Sequence, residues 1–264
     1  MQLRERTDAA ARDRESESRA PAALRATAIL QHLARSSTPL TLSQLSSALG
    51  LLNSSCLNIL RELVEGGLVM RDEATKQYSL GLESLMLAHR HLMQNRVARA
   101  SQAELDRLQR AHGLTAVLSQ RHLGNLLVCV SVSRGTHAGA QPVPIGRSEQ
   151  FYASASGRVA LSLERRSDSE LRQIHAALPW QSKPLVKAWI DDIRAASASG
   201  FAIDCGNYVK TAVFIAVPIV TDEGQLRGTL SLALLKSAMA DFDMDALAED
   251  MKLSAGNIAA AVGG

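Results

Sequence analysis

Residues 41–81 read TLSQLSSALGLLNSSCLNILRELVEGGLVMRDEATKQYSLG, and the punctuation of this stretch decides the fold of the N-terminal part of the chain. Thr41-Leu42-Ser43-Gln44 is a capping box: the Thr oxygen takes the amide three residues on, and the Gln side chain reaches back. Leu42, Leu45 and Leu49 then recur at helical spacing. Gly50 follows them where a helix needs a left-handed C-cap. After the short turn Leu51-Leu52, Asn53 or Ser54 caps a second helix, with Leu57, Leu60 and Leu63/Val64 turned inward, and Gly66-Gly67 stops it. Residues 68–71 and 77–80 read as two short strands around the polar stretch 72–76. Upstream, Leu24, Ala28, Ile29, Leu30 and Leu33 mark another helix, broken by Ser36-Ser37-Thr38-Pro39. Three short helices followed by a hairpin are the order of a winged helix-turn-helix.

That order predicts a contact with double-stranded DNA. The second helix of the pair enters the major groove and presents its N-terminal face to the base edges. Here the face carries Asn53, Ser54, Ser55, Asn58 and Arg61. Asn can pair with adenine and Arg with guanine or a phosphate, while Ser both donates and accepts. Thr41 and Ser43 open the preceding helix, and Arg71 and Lys76 flank the hairpin tip, where they can straddle a backbone. Bulk charge adds little. The whole chain carries a formal +3, and residues 22–82 hold five cations (Arg25, Arg35, Arg61, Arg71, Lys76) against four anions (Glu62, Glu65, Asp72, Glu73).

The run 24–87, with LTLSQLSSALGL, a helix, then GGLVMRDEATKQYSLGLESLMLA, resembles the N-terminal domain of the IclR family of bacterial regulators. YSLG at 78–81 is a characteristic part of that match. The groove-facing helix departs from the family pattern. Where many members have Pro-Lys-Ser-Thr followed by His-Arg, this chain has Leu52, Asn53, Ser54 and Ser55, then Leu57 and Asn58. Two common basic contacts are therefore missing. A sensor that controls a partner protein without binding DNA is the alternative this departure raises.

Residues 1–21 mix both charges with Ala and Ser and hold almost nothing to bury, the composition of a disordered arm. The winged helix is assigned to 22–82, a linker helix to 83–100 and a second domain to 101–264. Apolar residues of the linker, from Leu82 to Met93, suggest a dimer seam or an interdomain lever. The second domain reads as α+β, with antiparallel strands and packed helices. Strands are expected at 114–119, 125–132, 201–205, 211–220 and 226–235. The turn 122–125 joins the first two strands, and residues 141–150 form a loop. Helices are expected at 102–112, 156–163, 187–199 and 244–262, with another capped by Ser167-Asp168-Ser169-Glu170 and running to Leu178.

This half resembles the family's GAF-like effector-binding domain in three stretches: YASASGR at 152–158, GFAID at 200–204 leading into AVP at 216–218, and DEG at 222–224 leading into LSLA at 230–233. The small residues Ser154, Ala155, Ser156 and Gly157 open a helix whose first amides are accessible and electropositive, a receptor for a carboxylate. The resemblance implies that amides at Ala155 and Ser156 hold the effector's anionic end, and that Asp204, Phe214, Ser231 and Ala233 line the same pocket. Phe214 stands where Cys is frequent and Ala233 where Ser is frequent, so the expected effector is an organic acid with an apolar or aromatic portion.

The composition, 46% apolar and 21% charged over 264 residues, suits a globular protein with cores built from aliphatic side chains. No apolar run approaches the ~18 residues of a membrane span. The residues near Met1 form no apolar signal segment. Cys56, Cys129 and Cys205 are odd in number and far apart, as in a reducing compartment; the expected location is cytoplasmic. No GxSxG, GxxxxGK[ST], HExxH or CxxC pattern occurs, and His89 and His91 lie on different sides of a helix. No enzymatic activity, cofactor or metal is expected. An operator with two half-sites requires a homodimer, and relatives in the family often form dimers of dimers.

Overall fold

The computed structural model describes residues 20–123, 126–150, 152–164 and 166–263. The arm expected over 1–21 lies outside them up to residue 19, as does part of the turn 122–125. The chain divides into two compact units, one ending at His91 and the other beginning at Leu92. The division falls inside the expected linker helix.

The first unit contains α1 (Pro21–Arg35), β1 (Leu40–Thr41), α2 (Leu42–Leu49), α3 (Asn53–Glu65), β2 (Val69–Arg71), β3 (Gln77–Leu80) and α4 (Leu82–Gln94), the last crossing the division. Ile29, Leu33, Leu45, Cys56, Leu60, Leu63, Val69 and Tyr78 form its core. The capping box at α2 is present: the Gln44 amide donates to Thr41 Oγ1 (3.3 Å) and the Thr41 amide donates to Gln44 Oε1 (2.8 Å). Gly50 closes α2 at φ +64°, a conformation in which a Cβ would be strained. Two points differ from the sequence reading. Leu40–Thr41 pairs antiparallel with Tyr78 and Gln77, so the wing sheet has three strands in the order β1-β3-β2. The N-cap of α3 is Leu52, without a side-chain cap, because the Asn53 Oδ1 is taken by the Ser46 hydroxyl. Gly81 ends the family motif for a steric reason: a Cβ there would lie 2.1 Å from the Gly67 carbonyl oxygen.

The second unit is built on a six-stranded antiparallel sheet, ordered β6-β5-β4-β9-β8-β7. Its strands are β4 (Thr115–His122), β5 (Leu126–Ser133), β6 (Ser148–Gln150), β7 (Ala202–Cys205), β8 (Ala212–Val220) and β9 (Leu226–Leu235). Side chains alternate across it with period two. Ala116, Leu118, Val213, Ile215, Leu230 and Leu232 face α5 (Arg96–His112) and α9 (Met244–Gly263), with Leu105, Leu108, Met251 and Ile258 packed on them. Val117, Cys129, Phe214, Ala216 and Ala233 face the other way, toward Ala155 and Val159 of α6 (Ala155–Leu163) and Ala196 of α8 (Val186–Ser199). Outside α6 and α8, Trp189 and Leu171 build a third cluster with α7 (Asp168–Ala177). The Ser167–Glu170 capping box is formed. The helix expected from Gln102 begins six residues earlier, because the Asn95 side chain caps it on the Ala98 amide at 3.1 Å. β6 appears at the end of the stretch read as a loop.

Candidate functional site

In the first unit, the exposed side of α3 collects four of the nine expected DNA contacts. At 100° per residue, Asn53, Arg61, Ser54 and Asn58 fall within an arc of about 140°, and all four are exposed while Ser55 at the edge is half-buried. The opposite arc holds the buried Cys56, Leu60 and Leu63. Leu57, expected to face inward, lies between Asn53 and Arg61 and is only half-buried; the partly buried Ile59 packs on the core in its place. Ser43 is exposed on α2, whereas the Thr41 hydroxyl is occupied by its capping role. In the wing, Glu73 lies 3.4 Å from Arg71 and 3.0 Å from Lys76. Such exposed pairs are weak, so both cations can exchange Glu73 for a phosphate at little cost. Lys76 has φ +57°, and the Asp72 carboxylate braces the turn through the Thr75 amide at 2.6 Å.

In the second unit, a narrow cleft with a free volume of about 20 Å³ lies on the α6 side of the sheet. Its apolar wall is Val117, Leu127, Val143 and Phe214. Ser119, Ser154, Ser156, Ser231, Arg147 and Glu149 supply the polar side. Ser119, Ser156 and Ser231 are each buried to more than nine-tenths. No hydrogen bond joins their hydroxyls to a protein group among the described residues, so each is left for a ligand or water. The first amides of α6 have no intrahelical partner, and Ser154 does not cap them. Its hydroxyl donates instead to Glu149 Oε1 at 2.7 Å.

Of the expected effector contacts, Ser154, Ser156, Phe214 and Ser231 line this cleft. Period-two alternation brings Phe214 and Ser231 to one face, from adjacent strands. Ala155 and Ala233 have no exposed surface and belong to the apolar layer that also contains Phe214. Asp204, expected in the lining, is not there. Its carboxylate is claimed by the fully buried Arg158, at 2.9 Å from Nη1, and by the amides of Asn207 (3.3 Å) and Tyr208 (3.2 Å). The Asp204 carboxylate thus takes three donors from the protein, one of them the buried Arg158 guanidinium.

The sequence reading missed Arg147 and Glu149, which sit in a stretch without periodicity. It also missed Val117 and Ser119, which strand alternation could have pointed to. Cys129 also lines the cleft, but burial pushes its thiol up to about 11, so it is a neutral, unreactive side chain at physiological pH.

Residues 22–73 match the IclR helix-turn-helix domain and residues 89–260 match the bacterial transcriptional regulator IclR C-terminal domain. The chain belongs to the IclR family. It is thus a DNA-binding transcriptional regulator with an effector domain, from a family of regulators rather than enzymes. The glycerol operon regulatory protein of Streptomyces griseus is 28% identical over 196 residues, 74% of this chain and 77% of that protein. An IclR-type regulator structure from Alicyclobacillus acidocaldarius superposes with a TM-score of 0.81 at 23% identity, covering 94% of this chain and all of that one. An IclR homologue from Microbacterium hydrocarbonoxydans, solved in complex with 4-hydroxybenzoate, has a TM-score of 0.75 at 19% identity, over 90% of this chain and 97% of that one. Among the described residues no group of three His, Cys, Asp or Glu is placed to hold a metal, and no helix is long and apolar enough to cross a membrane.

Proposed function

We propose that this IclR-family chain acts as a cytoplasmic homodimer, reads an operator through α3 and the wing, and is modulated by a small organic acid bound in the α6 cleft. The observation that carries the effector reading is the cleft wall itself: three buried hydroxyls without protein partners and the open end of α6 face Val117 and Phe214. Polar groups so placed fix orientation, and the apolar wall accepts a hydrocarbon or a ring. The effector is therefore an acid with an apolar or aromatic portion. The complex of the Microbacterium homologue with 4-hydroxybenzoate is consistent with this class. The relative named for a glycerol operon adds glycerol to the probes.

On the DNA side, Asn58 and Arg61 are the contacts with base-reading chemistry, and Arg71 and Lys76 position the wing on phosphate. Support for the dimer comes from α4, none of whose residues is buried. Leu82, Leu85, Met86 and Met93, at helical spacing on one side, are each more than half exposed. Effector control then equals the effector's differential affinity for the two placements of the DNA heads.

The test is calorimetric titration of the full chain with benzoate, 4-hydroxybenzoate, pyruvate and glycerol, paired with a gel shift on DNA upstream of its own gene. Aromatic acids are expected to bind and to change the shift, and Phe214→Ala to weaken them about ten-fold. Tight binding of pyruvate alone would sink the effector class. A shift unaffected by Arg61→Ala and Asn58→Ala would remove α3 from the operator contact.

A further inference from the structure

Glu149 is the feature of the cleft that a receptor for simple carboxylic acids does not explain. It lies on β6 against the opening of α6, where the helix would otherwise hold a ligand's anion. One carboxylate oxygen accepts from the Ser154 hydroxyl at 2.7 Å; the other has no donor among the described residues. Arg147, also in the lining, does not approach Glu149 within ion-pairing distance and has no side-chain partner of its own among the described residues. In its ionised form the carboxylate is therefore neither paired with a cation nor fully hydrogen-bonded by the protein. An ionised carboxylate has room for about four donors, so the cleft has acceptor capacity left unfilled. A ligand carrying only a carboxylate would place a like charge close to Glu149 in a setting of low dielectric, where repulsion is strong.

Resting on the effector-cleft reading above, we infer that Glu149 is a specificity-determining residue that selects an effector bearing a hydrogen-bond donor, a hydroxyl or an ammonium, beside its acidic group, and disfavours the plain acid. The cleft is amphoteric: Arg147 takes the acidic end, and Glu149 takes the donor. A donor so placed completes the acceptor shell of Glu149, which a plain acid leaves unpaired, and sites built to hydrogen-bond a hydroxyl reject analogues lacking it. Burial pushes the Glu149 carboxyl above its ordinary range, with Asp204 adding to the rise and Ser154 and Arg147 opposing it; a donor or an ammonium brought by the ligand favours the ionised form that accepts it. Cys129 and Tyr208, the other titratable groups near it, are both held neutral by burial.

The test is calorimetric titration of the full-length native chain and the Glu149→Gln variant with two matched sets. One is benzoate, 3-hydroxybenzoate and 3-(aminomethyl)benzoate; the other is propionate and lactate. In the native chain the donor-bearing member of at least one set is expected to bind about ten-fold or more tighter than its plain acid. In Glu149→Gln that gap should close, with the plain acid gaining affinity because the charge is gone. Plain acids that match their donor-bearing partners in both sets on the native chain overturn the inference, and so does a gap that survives in Glu149→Gln. If that variant does not fold, Glu149→Ser takes its place with the same expectation. Binding of these probes with no dependence on residue 149 leaves the effector cleft standing and removes only Glu149 from its selectivity. Failure of every probe to bind either chain overturns both readings together.

Discussion

Arg158 and Asp204 are both fully excluded from solvent. The guanidinium donates from Nη1 to Asp204 (2.9 Å) and the Ile203 carbonyl (3.1 Å), and from Nη2 to the Asn207 side chain (2.6 Å). Its Nε lies 3.7 Å from the half-exposed Asp192 carboxylate. The pair ties α6 to β7 and the turn after it, so its role is to hold the helix whose N-terminus opens the cleft. Removing one partner strands the other as a buried charge, at a cost of about 3–5 kcal/mol. Asp204→Ala is therefore expected to lower the unfolding midpoint of the second unit markedly. Both tryptophans, Trp180 and Trp189, lie in that unit, so tryptophan fluorescence in a urea titration reads this transition. An unchanged midpoint with selective loss of effector binding would return Asp204 to the ligand.

At the scale of elements, α2 and α3 owe their ends to local chemistry. The Thr41–Gln44 box starts α2, Gly50 stops it, and the Ser46–Asn53 bond ties the two helices across the turn. Thr41→Ala removes one side of the box and is expected to cost about 1 kcal/mol, lowering the melting point of the small first unit by several degrees. Circular dichroism at 222 nm should show the shift while tryptophan fluorescence does not move, because the first unit has no tryptophan. A loss seen equally by both probes would mean that the two units unfold as one. The α3 face is a polar surface with one cation, Arg61, and a half-buried Leu57.

For the whole molecule, the unburied apolar side of α4 is the feature a lone chain leaves unsatisfied. Exposed apolar groups at helical spacing on one helix are a common signature of an association surface. In sedimentation velocity the native chain is expected at twice its 28.3 kDa mass, and the double variant Leu85→Glu, Met86→Glu at the monomer mass. A charged variant that still sediments as a dimer would place the seam elsewhere. Two half-sites must be held at fixed spacing, so the same variant should lose operator affinity even though α3 is untouched.

Much of this protein is written locally. Capping boxes at Thr41 and Ser167, the Gly50 stop and the alternation of β4, β8 and β9 are each encoded within a few residues, because the hydrogen bonds and periodicities they serve span only a few residues. For that reason the order of the elements and the family resemblance were legible without coordinates. What only the tertiary structure decided is who pairs with whom at long range. Asp204 is spent on Arg158, 46 residues away in the chain, and Glu149 leaves an aperiodic stretch to stand at the mouth of α6. No spacing rule encodes either pairing, since each depends on which surfaces the packed sheet and helices bring together. The winged helix identifies the family, while the carboxylate of Glu149 reaches the cleft only through packing.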